Sequence, residues 1–497
     1  MTDDRPSPRH RDVPARAGSG PVAAAPGLAA GDLAALTGGR LLRTSSRPVR
    51  GAAVDSRLVE PGQLFVALSG ERTDGHGFIE DAARAGAAAV LVSAAPSPDA
   101  LEALGDLTVV LVPDTLRGLH AIAAGWRTRF DPLVVGVTGS IAKTSTKEAV
   151  ATILASDRPT LKSEGNQNNE VGLPLTLLRL GPEDEAAVLE MGMYVGGEIR
   201  DLARIGRPHI GVVTAVLGVH LSRIGSLDAI EDAKAELVEA LPADGVAVLN
   251  ADDARVRRMA ARTPARSMTY GFAADADVGA ADVASAGLDG MRFTLRLPSS
   301  DAGAPARQFP ARIPALGRLS VHNALAAAAV GTAAGMLPDG IVRGLAAGWS
   351  APHRGEVLRA GPITIVDDAY NASPTSVAAA LELLAGLPGR RVAVLGEMLE
   401  LGEGTDAGHR DVGRVAAGTC ALLCVVGAGA MGIADGALEA GMPPDRIVRV
   451  ADREEAADRL GELLRPGDVV LVKASRGIEL EVLVDALAST FGGETRR

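Results

Sequence analysis

The sequence predicts an α/β protein of three domains, and three observations carry that reading. Short apolar, β-branched runs alternate with helical stretches, which is the pattern of a mostly parallel sheet covered on both faces. The alternation comes in two separate series, one from Pro132 and one from near Trp349. At 497 residues the chain also exceeds one ordinary core, so two to four domains are expected.

The elements follow in order. Residues 1–27, rich in Pro, Arg, Ala and Gly, lack the apolar centre of a signal peptide and read as a disordered lead-in. Residues 28–115 form a small α/β domain, with "GQLFVAL" a strand and "FIEDAARAGAAAVLV" a helix then a strand. Residues 116–345 hold the first long series, with strands "LVVGVTG", "AAVLEMG", "IGVVTAV" and "VAVLNAD". A Gly/Pro/Ala-rich section near 273–315 reads as a β insertion around "MRFTLRL", followed by an alanine-rich helix from Val321. Residues 346–497 hold the second series: "ITIVDDAY", "RVAVLGEM", "ALLCVVGAG", "IVRVAD" and "DVVLVKAS".

Composition narrows the function. Apolar residues make up 47% and aromatic ones only 2%, so the cores are aliphatic. A net charge of −11 with no basic cluster argues against nucleic acid or an anionic membrane as partner. No run approaches the roughly 18 apolar residues of a membrane span, and a cytoplasmic location is expected. Cys420 and Cys424, the only cysteines, read as reduced core residues. Of 50 basic residues only five are lysine: 143, 147, 162, 234 and 473. In so arginine-rich a chain, a lysine suggests a site needing a compact charge or a titratable amine. Lys147, four residues past Lys143 on one helical stretch, reads as incidental.

"PLVVGVTGSIAKTSTKEAV" is strand, turn and helix in the order of a phosphate-binding loop. Backbone N–H groups of Gly139, Ser140, Ile141 and Ala142 would converge on phosphates, Lys143 would bridge their oxygens, and Thr144 would hold Mg²⁺. Ala142 stands where such loops carry glycine. A positive φ there would cost alanine roughly 1–2 kcal/mol; a negative φ would require only steric fit. Glu190 ends one strand and His220 lies beyond another, both at the carboxyl edge that carries the loop, so both are candidate metal ligands. Alone, His220 would be a surface loop histidine. Lys234 falls inside the helical stripe Leu227, Ile230, Leu237 and Leu241. It must there be paired, deprotonated or modified, or snorkel to water.

The markers "VDSRLVEPGQLFVALSGERTDGHGFIEDA", "GNQNNEVGLPLTLL", "LEMGMYVGGEI", "DDAYNASPTS", "VLGEMLELGE" and "LVKASRG" give the chain a family. From about Leu28 to its C-terminus it resembles the ATP-dependent Mur ligases of bacterial cell-wall synthesis. Within them it is most similar to the branch joining D-alanyl-D-alanine to UDP-N-acetylmuramoyl-tripeptide. The resemblance implies a UDP-sugar-binding N-domain, a central P-loop ATPase-like parallel sheet and a Rossmann-like C-domain. It implies ATP and two Mg²⁺ sites, with a carbamylated Lys234 joining Glu190 and His220 at the second. It places Asp55, Ser56, Arg57, Asp74, His76, Asn168 and Asn169 on the UDP-peptide, and Asn323 beside adenine. Arg354, Asp368 and Tyr370 would close over ATP, and Lys473, Ser475 and Arg476 would meet the dipeptide. A monomer is expected.

The implied reaction makes an amide through an acyl phosphate, catalysed by positioning and charge neutralisation around Lys143. The chain departs from the family pattern at Ala142, Ala215, Leu319 and in "KASR". A different amine substrate, or a nucleotide-sugar binder without ligase activity, therefore stays open. So does an NAD-linked oxidoreductase, because Gly427, Gly429 and Gly432 have dinucleotide spacing and Asp452 ends the next strand.

Overall fold

A computed structural model describes residues 27–70, 73–218, 225–299 and 304–492. The lead-in expected for residues 1–27 lies, except for Gly27, outside the described residues.

Three sheets follow one another along the chain. The first contains β1 (Arg40–Arg43), β2 (Ala52–Ala53), β3 (Leu64–Val66), β4 (Ala89–Val92) and β5 (Thr108–Leu111), in the order β1-β5-β4-β3-β2. All its neighbours are parallel except β1 and β5. The second contains β6 (Leu133–Thr138), β7 (Thr160–Lys162), β8 (Ala186–Glu190), β9 (Ile210–Val213), β10 (Val246–Asn250) and β11 (Arg266–Gly271). It continues through β12 (Val278–Ser285), β13 (Met291–Leu297) and β14 (Arg307–Ile313), in the order β14-β13-β12-β11-β10-β9-β6-β8-β7. The third contains β15 (Glu356–Ala360), β16 (Ile363–Asp367), β17 (Arg390–Gly396), β18 (Leu422–Val426), β19 (Ile447–Val450) and β20 (Asp468–Lys473), in the order β15-β16-β20-β17-β18-β19.

Burial explains the strand types. Every residue of β8, β9, β10 and β20 is buried, as parallel strands covered on both faces require. The "MRFTLRL" strand β13 alternates buried and wetter positions, and it pairs antiparallel with both neighbours, as a one-sided β extension should. The alanine-rich helix spans Gly317–Ala333, starting earlier than Val321 because its first turn, "GRLS", is not apolar. Its wholly buried Ala324–Ala329 stretch lets it lie close to the helix Lys143–Ala155. Short or charged strands such as β7 and β15 carry no clear period and escape sequence reading.

In the second sheet, chain order reverses on the two sides of β6, which lies between β9 and β8. The loop after β6 therefore opens at a topological switch point, where α/β sheets bind ligands. Cys420 and Cys424 are free and buried, their thiols pushed up to about 11 and about 12 by burial. Among the described residues no helix is long and apolar enough to cross a membrane.

Candidate active site

The phosphate loop is set by contact with the end of β9. Thr214 Oγ1 donates to the Ile141 carbonyl at 2.6 Å. Ser140 Oγ donates to Leu217 O at 3.0 Å and accepts from Leu217 N–H at 2.9 Å. Gly139 has φ +147°, and a Cβ there would stand 1.8 Å from Thr214 Oγ1. The helix Lys143–Ala155 then starts on Ala142 at φ +62°, ψ 4°. The loop thus keeps the left-handed geometry and places a methyl group where glycine would relieve strain. Ala142→Gly should remove about 1–2 kcal/mol of strain, less about 0.5–1 kcal/mol for glycine's freer unfolded state. A melting temperature raised by about 1–3 °C is expected; a fall, measured by differential scanning calorimetry, would show the alanine unstrained.

Lys143 Nζ donates to the Gly139 carbonyl at 2.8 Å. Burial lowers its pKa, Glu190 opposes the fall and Arg354 adds to it. Glu190, only 1% exposed, ends β8 beside it. Its Oε1 accepts from Asn168 Nδ2 at 2.8 Å, whereas Oε2 is buried with no hydrogen-bond partner among the described residues. An orphaned carboxylate oxygen is costly unless a cation or donor joins it, so this atom fits a metal ion.

Lys234 is buried on the helix Leu227–Glu239, between Ile230 and Leu237 on the same apolar stripe. Burial drives its pKa well below the ordinary lysine value, and Lys143 pushes the same way. Glu236, Glu190 and Glu198 pull against them. Glu236 is already engaged by the N–H groups of Gly197 and Arg200, at 2.7 and 3.0 Å. Burial thus favours the uncharged form of the amine. His220 lies outside the described residues. Among those described, no three His, Cys, Asp or Glu side chains gather as a metal cluster, so Glu190 and the Thr144 hydroxyl are the donors on view.

Second and third sheets enclose a cleft of about 500 Å³ lined by Ser140–Ser145, Asn168, Glu190, Asn323, Arg354, Asp368, Tyr370 and Lys473. Asn323 Oδ1 accepts from Thr146 Oγ1 at 3.2 Å. Leu319 lines the cleft, but His322 turns away, 3.1 Å from Asn250 Oδ1 and 3.3 Å from Asp252 Oδ2. The Tyr370 ring lies under two guanidiniums, Arg354 at 4.0 Å and Arg476 at 5.2 Å from its centre. Lys473 is 3% exposed and spends its amine on Asp368 Oδ2 (2.6 Å) and the Asn371 carbonyl (2.8 Å). Ser475, equally buried, accepts from Leu399 N–H. These two tie loops together and leave Arg476 as the exposed group of the three.

The remaining sequence candidates lie elsewhere. Asp55 accepts from the backbone and side chain of Arg57, which hold its carboxyl near pKa about 2. Ser56 sits in the same turn. Asp74 accepts from His76 N–H and Nδ1, and His76 Nε2 accepts from Ser93 N–H. Both turns follow strands of the first sheet, and neither lines the cleft described above. Asn169 Oδ1 accepts from Gly172 N–H at the start of a helix. Lys147 is fully buried and donates to the Ser163 carbonyl at 2.6 Å, a structural role. Thr214, which no motif marks, clamps the phosphate loop.

The late glycine motif serves packing. A Cβ on Gly429 would stand 2.2 Å from the Glu397 carboxyl carbon, and one on Gly432 3.0 Å from His409 Cβ. The chain's own carboxylate thus occupies the turn where a dinucleotide would need its pyrophosphate.

Three family descriptions match this chain: Mur ligase family, catalytic domain, over residues 48–127; Mur ligase middle domain over 137–331; and Mur ligase, glutamate ligase domain, over 353–476. Among curated proteins, the UDP-N-acetylmuramoyl-tripeptide--D-alanyl-D-alanine ligase of Bacillus subtilis is 37% identical over 88% of this chain and 93% of its own. That of Mycobacterium tuberculosis is 39% identical, over 88% and 91%. Among solved structures, MurF from Acinetobacter baumannii superposes with a TM-score of 0.83 at 30% identity, over 94% of this chain and all of that one. MurF from Thermotoga maritima, in complex with ADP, does so with a TM-score of 0.77 at 28% identity, over 89% and 98%.

Proposed function

The chain belongs to the Mur ligase family, and we propose that it is the ATP-dependent ligase joining D-alanyl-D-alanine to UDP-N-acetylmuramoyl-tripeptide. The observation that carries the proposal is the unpartnered Oε2 of Glu190 beside Lys143 and the phosphate loop. A nucleotide fold without phosphoryl chemistry has no use for a buried carboxylate oxygen held open.

In this reading the peptide's terminal carboxylate attacks the γ-phosphorus and ADP leaves, forming an acyl phosphate. The dipeptide amine adds to the acyl carbon, loses a proton, and phosphate departs. Lys143 meets the β/γ oxygens as a point charge, while backbone N–H groups at the helix start converge on the phosphates. Asn168 fixes one oxygen of Glu190 so that the other points at the reacting region. Thr144, Glu190, His220 and a carbamylated Lys234 would hold Mg²⁺, which when bound neutralises charge on the transferring phosphoryl group. The burial that lowers the Lys234 pKa supports that modification, because only an unprotonated amine adds CO₂. Asn323 faces the nucleoside, and Arg354, Asp368 and Tyr370 bring the third sheet against ATP. Asp55, Ser56, Arg57, Asp74 and His76 present a polar edge for the UDP-sugar, with Asn169 beside Asn168 toward its peptide. Arg476 meets the dipeptide carboxylate, with Lys473 and Ser475 as its scaffold. Because these groups sit on three sheets, turnover requires domain closure.

Incubation with the three substrates and mass analysis of the products tests the proposal. A UDP-linked pentapeptide formed with stoichiometric ADP is expected. Its absence while ATP and UDP-tripeptide both bind would point to another amine.

A further inference from the structure

We propose that a cleft at the amino-terminal edge of the second sheet, opposite the phosphate loop, is a second anion site fitted to a small phosphate-bearing polyanion. The cleft has a volume of about 880 Å³, within the roughly 300–1,000 Å³ of small-molecule sites. It lies where the helices Thr115–Arg127, Glu198–Gly206 and Leu227–Glu239 end and β6 and β9 begin.

Five of its fourteen lining residues are arginines (127, 129, 200, 204 and 207) against two carboxylates, Asp131 and Asp244. This is an arginine cluster, three of whose members pair with Asp32, Asp201 and Glu236. Helix capping explains part of it. Arg127 Nε and Nη1 donate to the carbonyls of Gly206 and Phe130, at 3.3 and 2.8 Å. Those bonds leave Nη2 unused on a guanidinium only 4% exposed. The ion pairs are Arg129 to Asp32 at 3.1 Å, Arg204 to Asp201 at 3.3 Å and Arg200 to Glu236 at 3.5 Å. The first two are exposed enough on both sides to be weak, whereas Glu236 is buried and held by backbone N–H groups.

The floor adds a donor. Val134 N–H is received by His209 Nδ1 at 3.1 Å, which puts the proton of the neutral ring on Nε2. Burial and Arg127 both lower the pKa of His209, while Asp131 and Asp244 oppose them. Arg127 is itself lowered by burial and by Arg207, with Asp131 opposing. For both groups burial is the larger cause, and a neighbouring arginine adds to it. Guanidinium forks match phosphate oxygens in pairs, and the size of the cleft suits a molecule carrying at least two phosphates.

The test is calorimetric titration of inorganic pyrophosphate into the full-length chain carrying Lys143→Ala, which disables the phosphate loop. Binding is expected to remain, and adding Arg204→Glu and Arg207→Glu should weaken it at least tenfold. Both arginines are exposed, so the fold should survive, as an unchanged melting temperature would verify. Citrate, an anion of carboxylates alone, should bind at least tenfold more weakly than pyrophosphate. No binding to the Lys143→Ala chain, binding indifferent to the charge reversals, or equal binding of citrate would each overturn the proposal.

Discussion

Lys234→Ala should lower turnover by about 10²–10³-fold, the scale of losing one group that stabilises transition-state charge, with little change in folding. Burial, reinforced by Lys143, lowers the pKa of the amine and so favours its uncharged form. Addition of its nitrogen to CO₂ with loss of a proton would give a carbamate, an anion that could share a cation with the unpartnered oxygen of Glu190. Alanine removes both the anion and the chain that carries it, leaving a small cavity. Acetate or propionate should enter that cavity and restore part of the rate, while Lys234→Arg, a permanent cation, should stay inactive with either. Steady-state rates across a carboxylate titration, with circular dichroism as the folding control, decide it. Full activity in the alanine variant would remove the carbamate from the account.

Gly139→Ala carries the second large effect. A Cβ at 1.8 Å from Thr214 Oγ1 cannot be accommodated by rotating a flexible side chain, because Thr214 is bonded to the Ile141 carbonyl and the strand end is buried. Backbone strain of about 1–2 kcal/mol at a left-handed position adds to about 1–3 kcal/mol for overpacking. The loop must move off the end of β9, so ATP affinity should fall by at least about tenfold, the equivalent of 1.4 kcal/mol. The double variant with Thr214→Ser should remain impaired, because serine keeps the offending oxygen, whereas Thr214→Ala should recover part of the loss. Calorimetric ATP titration of the three variants measures this. Wild-type affinity in Gly139→Ala alone would mean that the loop is not clamped as described.

Both effects concern residues that could be read in advance to different depths. Strand, turn and helix around Lys143 were legible because hydrophobic runs and glycine mark them locally. Lys234 stood out because an amine inside an apolar stripe is a chemical contradiction at any level of structure. The φ of Ala142 was not legible, since the same letters fit either sign and only the clamp by Thr214 and Leu217 decides. Nor were the partners of Asn168, Lys473 and Ser475, which look like ligand-binding groups but meet Glu190, Asp368 and Leu399 once loops far apart in sequence converge. The arginine-lined cleft shows the same limit. Its residues come from three helix ends and the loops after them, spread between positions 127 and 244. Conversely, the spacing of Gly427, Gly429 and Gly432 was visible and misleading, because glycine permits any close approach, including that of Glu397.

Phosphate release with Mg-ATP, UDP-N-acetylmuramoyl-tripeptide and D-alanyl-D-alanine, each omitted in turn, tests the central claim most directly. The site described here predicts sustained release only when all three are present, since the acyl phosphate needs the peptide carboxylate and turnover needs the amine. Sustained release without the dipeptide, or none with all three while the UDP-tripeptide binds, would contradict it.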